Sequence, residues 1–188
     1  MGYFLFLKNS LRNFNQIGAF VPSSQFLART MLEGVQIPRA QCVVEFGGGT
    51  GAITAPILKL LPSTATLIVF ELNKELALHL RDTIRDHRVR VVCDHAERIG
   101  YYLKKYGYKK ADYIISSLPL AHYGQRALTH VLSEIVTHLH PHGVYVQYQY
   151  SLRSFWQVKK VFGNVALKFE LYNFPPAFVY VCQQQRKK

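Results

Sequence analysis

The chain is poor in acid: 11 Asp and Glu stand against 23 Lys and Arg, leaving a net charge of +12 over 188 residues. The basic residues run from Lys8 to Lys188 instead of gathering in one tail, so the surface favours a polyanion, either nucleic acid or an anionic membrane face. Cysteine is scarce as well. Cys42, Cys93 and Cys182 lie far apart in apolar strand-like runs with no CxxC pair, which argues against a disulfide framework and predicts reduced core thiols of a cytosolic protein. No apolar run approaches the ~18 residues of a membrane-spanning helix. The start has no basic region followed by an apolar stretch and a cleavage site, so export is not expected. "MGYFLF" also misses the myristoylation pattern, because Phe6 stands where Ser or Thr is needed. Repeats are missing too, and the only biased segment is the polar tail "QQQRKK" at 183–188.

What is present is enough apolar material, 49% of residues, for one well-buried core. From residue 42 onward β-branched runs alternate with helical patterns: "CVVEF", then 51–61, "TLIVFE", then 74–86, "RVRVVC", then 96–106, "DYIISS", then 123–139, "VYVQYQY". Strands apolar on both faces that alternate with helices predict an α/β fold with a mostly parallel sheet and helices on both faces. After a short helix at 154–161, "VALKFELYNF" and "AFVYVC" flank Pro175 and Pro176 and predict an antiparallel pair at the sheet edge.

The first segment, residues 1–34, differs in kind. Phe4, Leu7, Leu11 and Phe14 form one helical stripe beside Lys8 and Arg12, a basic amphipathic helix that suits either the domain's own core or a lipid interface. "PSSQFLARTMLEG" predicts a second helix, capped by Ser23 or Ser24 and ended at Gly34. The main domain is expected at 35–182, with the basic tail after it.

"EFGGGTG" at 45–51 follows the first strand and opens the first helix, and Gly47, Gly49 and Gly51 make a G-x-G-x-G turn that lets a ligand approach the main chain. A dinucleotide loop would have G-x-G-x-x-G and a pyrophosphate on the helix N-terminus. Glu45, two residues before the first glycine, opposes an anion and suits a cationic, phosphate-free nucleoside, of which S-adenosylmethionine is the common example. Glu71, at the end of the second strand, stands where such folds place a carboxylate for the ribose hydroxyls. The third strand ends in Asp94-His95-Ala96, from which a polar side chain reaches an adenine amino group while Ala96 leaves room for the ring. Each acid alone is as well explained by a helix cap or a loop. Three successive strand ends together point to binding.

The fourth strand ends in Ser116-Ser117-Leu118-Pro119-Leu120. With "GAFVPSSQFLAR", "EFGGGTGAIT", "SSLPL", "HGVYVQYQYS" and "YNFPPAFVYV" in order, residues 14–182 resemble the bacterial phospholipid N-methyltransferases that convert phosphatidylethanolamine towards phosphatidylcholine. The resemblance implies a Rossmann-like class I methyltransferase with a seven-stranded sheet. It implies a cofactor site of Glu45, Gly47, Gly49, Gly51, Glu71, Asp94 or His95, Ala96 and Ser116, with the Leu118-Pro119 turn facing the methyl acceptor. It further implies a lipid substrate and a cytoplasmic protein held at the inner membrane face by anionic lipids. Ribosomal-RNA adenine dimethylases are similar, but they carry Asn at the position of Ser117 and a helical domain after the sheet, so stable nucleic-acid binding is not expected. A non-catalytic membrane-binding protein of the same fold is the third reading.

Methylation of an amine leaves a progressively more apolar cation, which an aromatic wall stabilises. Tyr150, matching the family pattern, and Tyr148 on the same side of its strand are the candidates; ordinary core packing is the alternative for Tyr148 and for Trp156. Arg153 is a candidate for the lipid phosphate, and His122 for the amine proton. His138, His140 and His142 alternate before the strand, but two of them flank Pro141 in a predicted loop, and with no Cys or carboxylate spaced to complete the set no metal is expected.

Overall fold

The computed structural model describes residues 23–184. The stripe from Phe4 to Phe14, the side chains of Ser23 and Ser24, and residues 185–188 lie outside the described residues. Helix α1 (Ser23–Leu32) leads into β1 (Cys42–Phe46), α2 (Thr54–Leu60), β2 (Thr66–Phe70), α3 (Lys74–Thr83), β3 (Val89–Val92), α4 (Ile99–Lys105) and β4 (Ala111–Ser116). Helix α5 (Gln125–His138), β5 (Leu139–Gln149), α6 (Phe155–Phe162), β6 (Gly163–Glu170) and β7 (Ala177–Gln184) follow. One seven-stranded sheet has the order β3-β2-β1-β4-β5-β7-β6. The first five of these strands are parallel, and β7 runs antiparallel to both β5 and β6. The mostly parallel sheet with an antiparallel edge is therefore as expected.

All five residues of β1 are buried because β2 and β4 flank it and helices cover both faces. Alternation along the strands divides the apolar side chains between two cores. Val44, Phe46, Ile68 and Phe70 meet Ile99, Leu103, Val131 and Ile135 of α4 and α5 on one face. Val43, Leu67 and Val69 meet Met31, Ile57 and Leu80 of α1, α2 and α3 on the other. Each such fully buried side chain contributes about 1.5–3 kcal/mol relative to exposure. Asn73 caps α3, its side-chain oxygen accepting from Glu75 and Leu76 N–H at 2.9 and 3.1 Å.

The structure corrects four expectations. Cys42 and Cys182 are buried, with burial pushing the Cys42 thiol up to about 12, but Cys93 is exposed, because β3 stops at Val92 and the chain leaves the sheet there. His138 closes α5, within the helix expected over 123–139, but His140 and His142 are exposed on β5, which begins at Leu139 instead of after a loop. Strand β6 ends at Glu170, so residues 171–174 form a loop and not the end of a strand. Trp156 is not a core residue: Val158 and Phe162 supply the buried stripe of α6, and Trp156 falls on its outer side.

The carboxyl ends of β1 to β5 share one edge of the sheet. Because β6 runs parallel to β5, the 171–176 loop leaves at that same edge, with Glu170 paired to Ala177 and Phe178 paired to Gln149.

Candidate functional site

The glycine loop begins by joining three strands. Phe70 C=O accepts from Gly47 and Gly48 N–H at 2.8 and 3.1 Å, and Phe46 C=O accepts from Ser117 N–H at 2.8 Å. Gly48 is needed for packing, since a Cβ there would meet Val69 Cγ1 at 2.4 Å and Leu80 Cδ1 at 2.8 Å. Gly49 is needed for shape: its φ is +53°, and the space where its Cβ would stand is open. Gly47 and Gly51 also have positive φ. The loop thus bares its main chain over the end of β1.

Glu45 lies beneath it, fully buried, with neither carboxylate oxygen hydrogen-bonded; the Thr54 hydroxyl is close but closes no bond of good geometry. Burial pushes this carboxyl up to about 8, opposed by Thr54 and reinforced by the charge of Glu71. An orphaned buried acceptor pair of this kind is costly unless a cation or donor meets it. Glu71 is differently placed. Its Oε2 accepts from Gly49 N–H and its Oε1 from Asn73 N–H, both at 2.8 Å, so it fastens the glycine loop to the end of β2 while each oxygen keeps a further acceptor site.

A small open cleft begins at Gly47, the first glycine of the loop, and Phe46, Phe70, Asp94, His95, Ala96, Leu118 and Tyr123 are among its other lining residues, whereas the buried Glu45 and Glu71 do not line it. Asp94 is held in place by Tyr102 Oη–H at 3.0 Å and Arg98 Nη1 at 3.1 Å on Oδ2, and by His95 N–H at 2.8 Å on Oδ1. His95 has an exposed side chain at the same mouth. Ser116 is fully buried and does not line the cleft; its Oγ accepts from Leu118 N–H at 3.2 Å and so shapes the turn.

The acceptor turn is held by two residues that the sequence reading did not single out. Gln147 and Gln149 each donate an Nε2 hydrogen bond to Leu118 C=O, at 2.9 and 2.7 Å, and another to Tyr148 C=O. Tyr145 Oη–H fixes Gln147 Oε1 at 2.6 Å, and Ala121 N–H donates to Gln149 Oε1 at 3.2 Å. Leu118 C=O is therefore already occupied and holds the turn in place. Alternation along β5 places Tyr145, Gln147 and Gln149 on one side of the strand, but that pattern does not show which carbonyl the amides meet. Pro119 is half-buried at the head of a short 3₁₀ turn that ends at the exposed His122.

Tyr150 follows β5, half exposed, with its ring edge-on to Tyr148 at 5.6 Å, and Arg153 is exposed three residues later. Among the described residues, no group of three or more His, Cys, Asp or Glu is placed to hold a metal ion, and no helix is long and apolar enough to cross a membrane.

Comparison with known proteins agrees with this arrangement. A family described as a methyltransferase domain matches residues 43–143. The chain is 31% identical to the ornithine lipid N-methyltransferase of Singulisphaera acidiphila, over 96% of this chain and 95% of that protein. A SAM-dependent methyltransferase from Aquifex aeolicus has the same fold at TM-score 0.65 and 10% identity, covering 91% of this chain and 96% of its own. Human N-acetylserotonin methyltransferase, solved in complex with SAM, does so at TM-score 0.60 and 12% identity, over 84% and 52% of the two chains.

Proposed function

The chain belongs to the class I S-adenosylmethionine-dependent methyltransferases, in the lipid N-methyltransferase family, and from that premise we propose that it methylates the headgroup amine of a membrane lipid. The observation that carries the chemistry is Glu45, a buried carboxylate with no partner under a bared glycine loop. When bound, S-adenosylmethionine supplies a sulfonium methyl group for transfer to nitrogen. Glu45 would hold its ammonium, the remaining acceptor sites of Glu71 its ribose hydroxyls, and Asp94 or His95 its adenine amino group, with Ala96 leaving room for the ring. Full-length similarity to an ornithine lipid enzyme favours an amine-bearing lipid over RNA as acceptor. Within that class, ornithine lipid and phosphatidylethanolamine are the two headgroups to separate.

A primary alkyl amine has a pKa near that of lysine, ~10.4, and must be neutral to accept a methyl group. Desolvation against Leu118 and Pro119 lowers that value, and the proton leaves to water at the mouth or to His122. The Gln147 and Gln149 amides keep the turn at a fixed height above the cleft, which is a positioning role. Tyr150 and Tyr148 offer ring faces to the methylated cation, and Arg153 offers a fork to an anionic headgroup group. Methylation stops at three methyls because a quaternary nitrogen has no lone pair.

The test is incubation of the purified protein with methyl-labelled cofactor and, in separate reactions, ornithine-lipid vesicles, phosphatidylethanolamine vesicles and ribosomal RNA. Label is expected in lipid, and the first two reactions decide the headgroup. Label in RNA adenine, or cofactor binding without any transfer, overturns the reading.

A further inference from the structure

Away from the cleft, the sheet edge carries an apolar surface that the methyl-transfer chemistry does not use. In the 171–176 loop Leu171 is 64% exposed, Tyr172 74% and Phe174 82%, a density of large apolar side chains in water well beyond scattered single residues. Phe26 of α1 extends this surface, its ring 5.7 Å from that of Tyr172. The loop is pinned from beneath. Buried Glu170 accepts from Tyr172 N–H at 2.8 Å with one oxygen and from the Thr30 hydroxyl with the other, and buried Asn173 donates to Pro175 C=O at 2.6 Å. With Asn173 turned inward and fixed, its neighbours Tyr172 and Phe174 are held outward.

The same edge carries the start of α6, where Trp156 is 70% exposed and Lys159 Nζ stands 5.5 Å from its ring centroid. Between residues 150 and 178 the sequence holds one acid, the buried Glu170, beside the cations Arg153, Lys159 and Lys160, while the fourth cation, Lys168, is paired with Glu33 at 2.8 Å. Aromatic side chains beside cations match an anionic bilayer boundary, where rings lie at headgroup level and lysines meet phosphates.

We propose that the 171–176 loop, with Phe26 and Trp156, is a membrane-docking surface that enters the interface of an anionic bilayer and brings the acceptor turn to the lipid headgroups. The assignment rests on the lipid reading above and adds to it the part of the molecule that meets the bilayer. Association energy then comes from apolar rings leaving water, and the cations supply the attraction to acidic lipid. A rigid loop loses little conformational entropy on docking.

Trp156, the chain's one tryptophan, is a built-in probe. On vesicles of phosphatidylcholine with a minor share of phosphatidylglycerol, its emission should shift to the blue and be quenched by brominated acyl chains. The Leu171→Ser, Tyr172→Ser, Phe174→Ser triple variant should bind those vesicles at least about tenfold more weakly while binding cofactor normally by calorimetry. It should also keep its activity on a short-chain amine lipid dissolved as monomers. That activity separates the two ideas: its absence in the wild-type protein defeats the lipid reading, whereas its presence leaves the docking surface to be judged by vesicle binding. Undiminished vesicle binding by the triple variant overturns the proposal. So does a vesicle-bound wild-type protein whose Trp156 emission is unmoved, a result that needs no variant to fold. Loss of RNA binding in the variant with vesicle binding intact overturns it as well.

Discussion

Over β1 and β2 the carboxyl edge hides its polar groups, with Glu45 and Glu71 buried beneath a glycine loop, whereas over β5, β6 and β7 it holds Tyr150, Tyr172 and Phe174 out into water. A small charged ligand is recognised by groups withdrawn from solvent, where each interaction is strong and an unmet acceptor is costly. An extended apolar partner is met by groups projected into solvent, where binding grows with the area covered. The two halves share one scaffold edge and are joined at the Leu118 turn. Substitutions in one half should therefore leave the other half's partner largely untouched.

The largest effect is expected at Glu45. Replacing Glu45 by Gln should weaken cofactor binding about 30-fold or more, the scale for losing one side of a buried charge pair, and abolish most transfer. The pH dependence should change with it. The folded carboxyl lies at about 8 against an ordinary value of 4.5. Between those values the cofactor-free protein binds more protons than the unfolded chain, so its stability falls as pH rises through that window. Glu45→Gln should flatten that slope in thermal melts and leave the protein more stable at pH 8. Binding the cofactor's ammonium should in turn release a proton below pH 8, measurable by calorimetry in buffers of different ionisation enthalpy. Persistence of the slope in the variant would detach it from Glu45.

Gly48→Ala comes next, because its methyl group would collide with Val69 and Leu80. A loss of about 1–3 kcal/mol is expected, which for a chain of this size lowers Tm by about 2–4 °C per kcal/mol. An unchanged melting curve would mean that α3 shifts freely against β2. The smallest and most informative substitution is Gln149→Leu, which strands Ala121 N–H and releases half of the clamp on Leu118 C=O. We expect kcat to fall about fivefold with cofactor affinity kept within about twofold. A matching loss of cofactor affinity would show that the turn belongs to the nucleoside half of the site and erase the distinction between the two halves.

Much of the buried half was legible in the residues. A glycine loop straight after a β-branched strand, and acids at successive strand ends, follow from local geometry and from the place where such sheets bind ligands. That Glu71 fastens the loop to β2 was not legible, because its bonds to Gly49 and Asn73 depend on how two strand ends approach each other. Gln147 and Gln149 read as parts of an apolar strand until their amides were seen to converge on Leu118 C=O. "ELYNF" reads as a continuing strand by propensity, and the inward turn of Asn173 with the side-chain bonds of Glu170 overrules it.

By itself the sequence determined the alternation of strands and helices, the two-faced burial of the central strands and the position of the bared loop. All three arise from side-chain period and from the conformational reach of glycine, which act over a few residues. Tertiary structure alone decided that Glu45 would be sealed without a partner, that two glutamines would share one carbonyl, and that Phe26 would join a loop more than a hundred residues away. Burial and long-range hydrogen bonding depend on which distant segments the sheet brings together, and no local pattern encodes that.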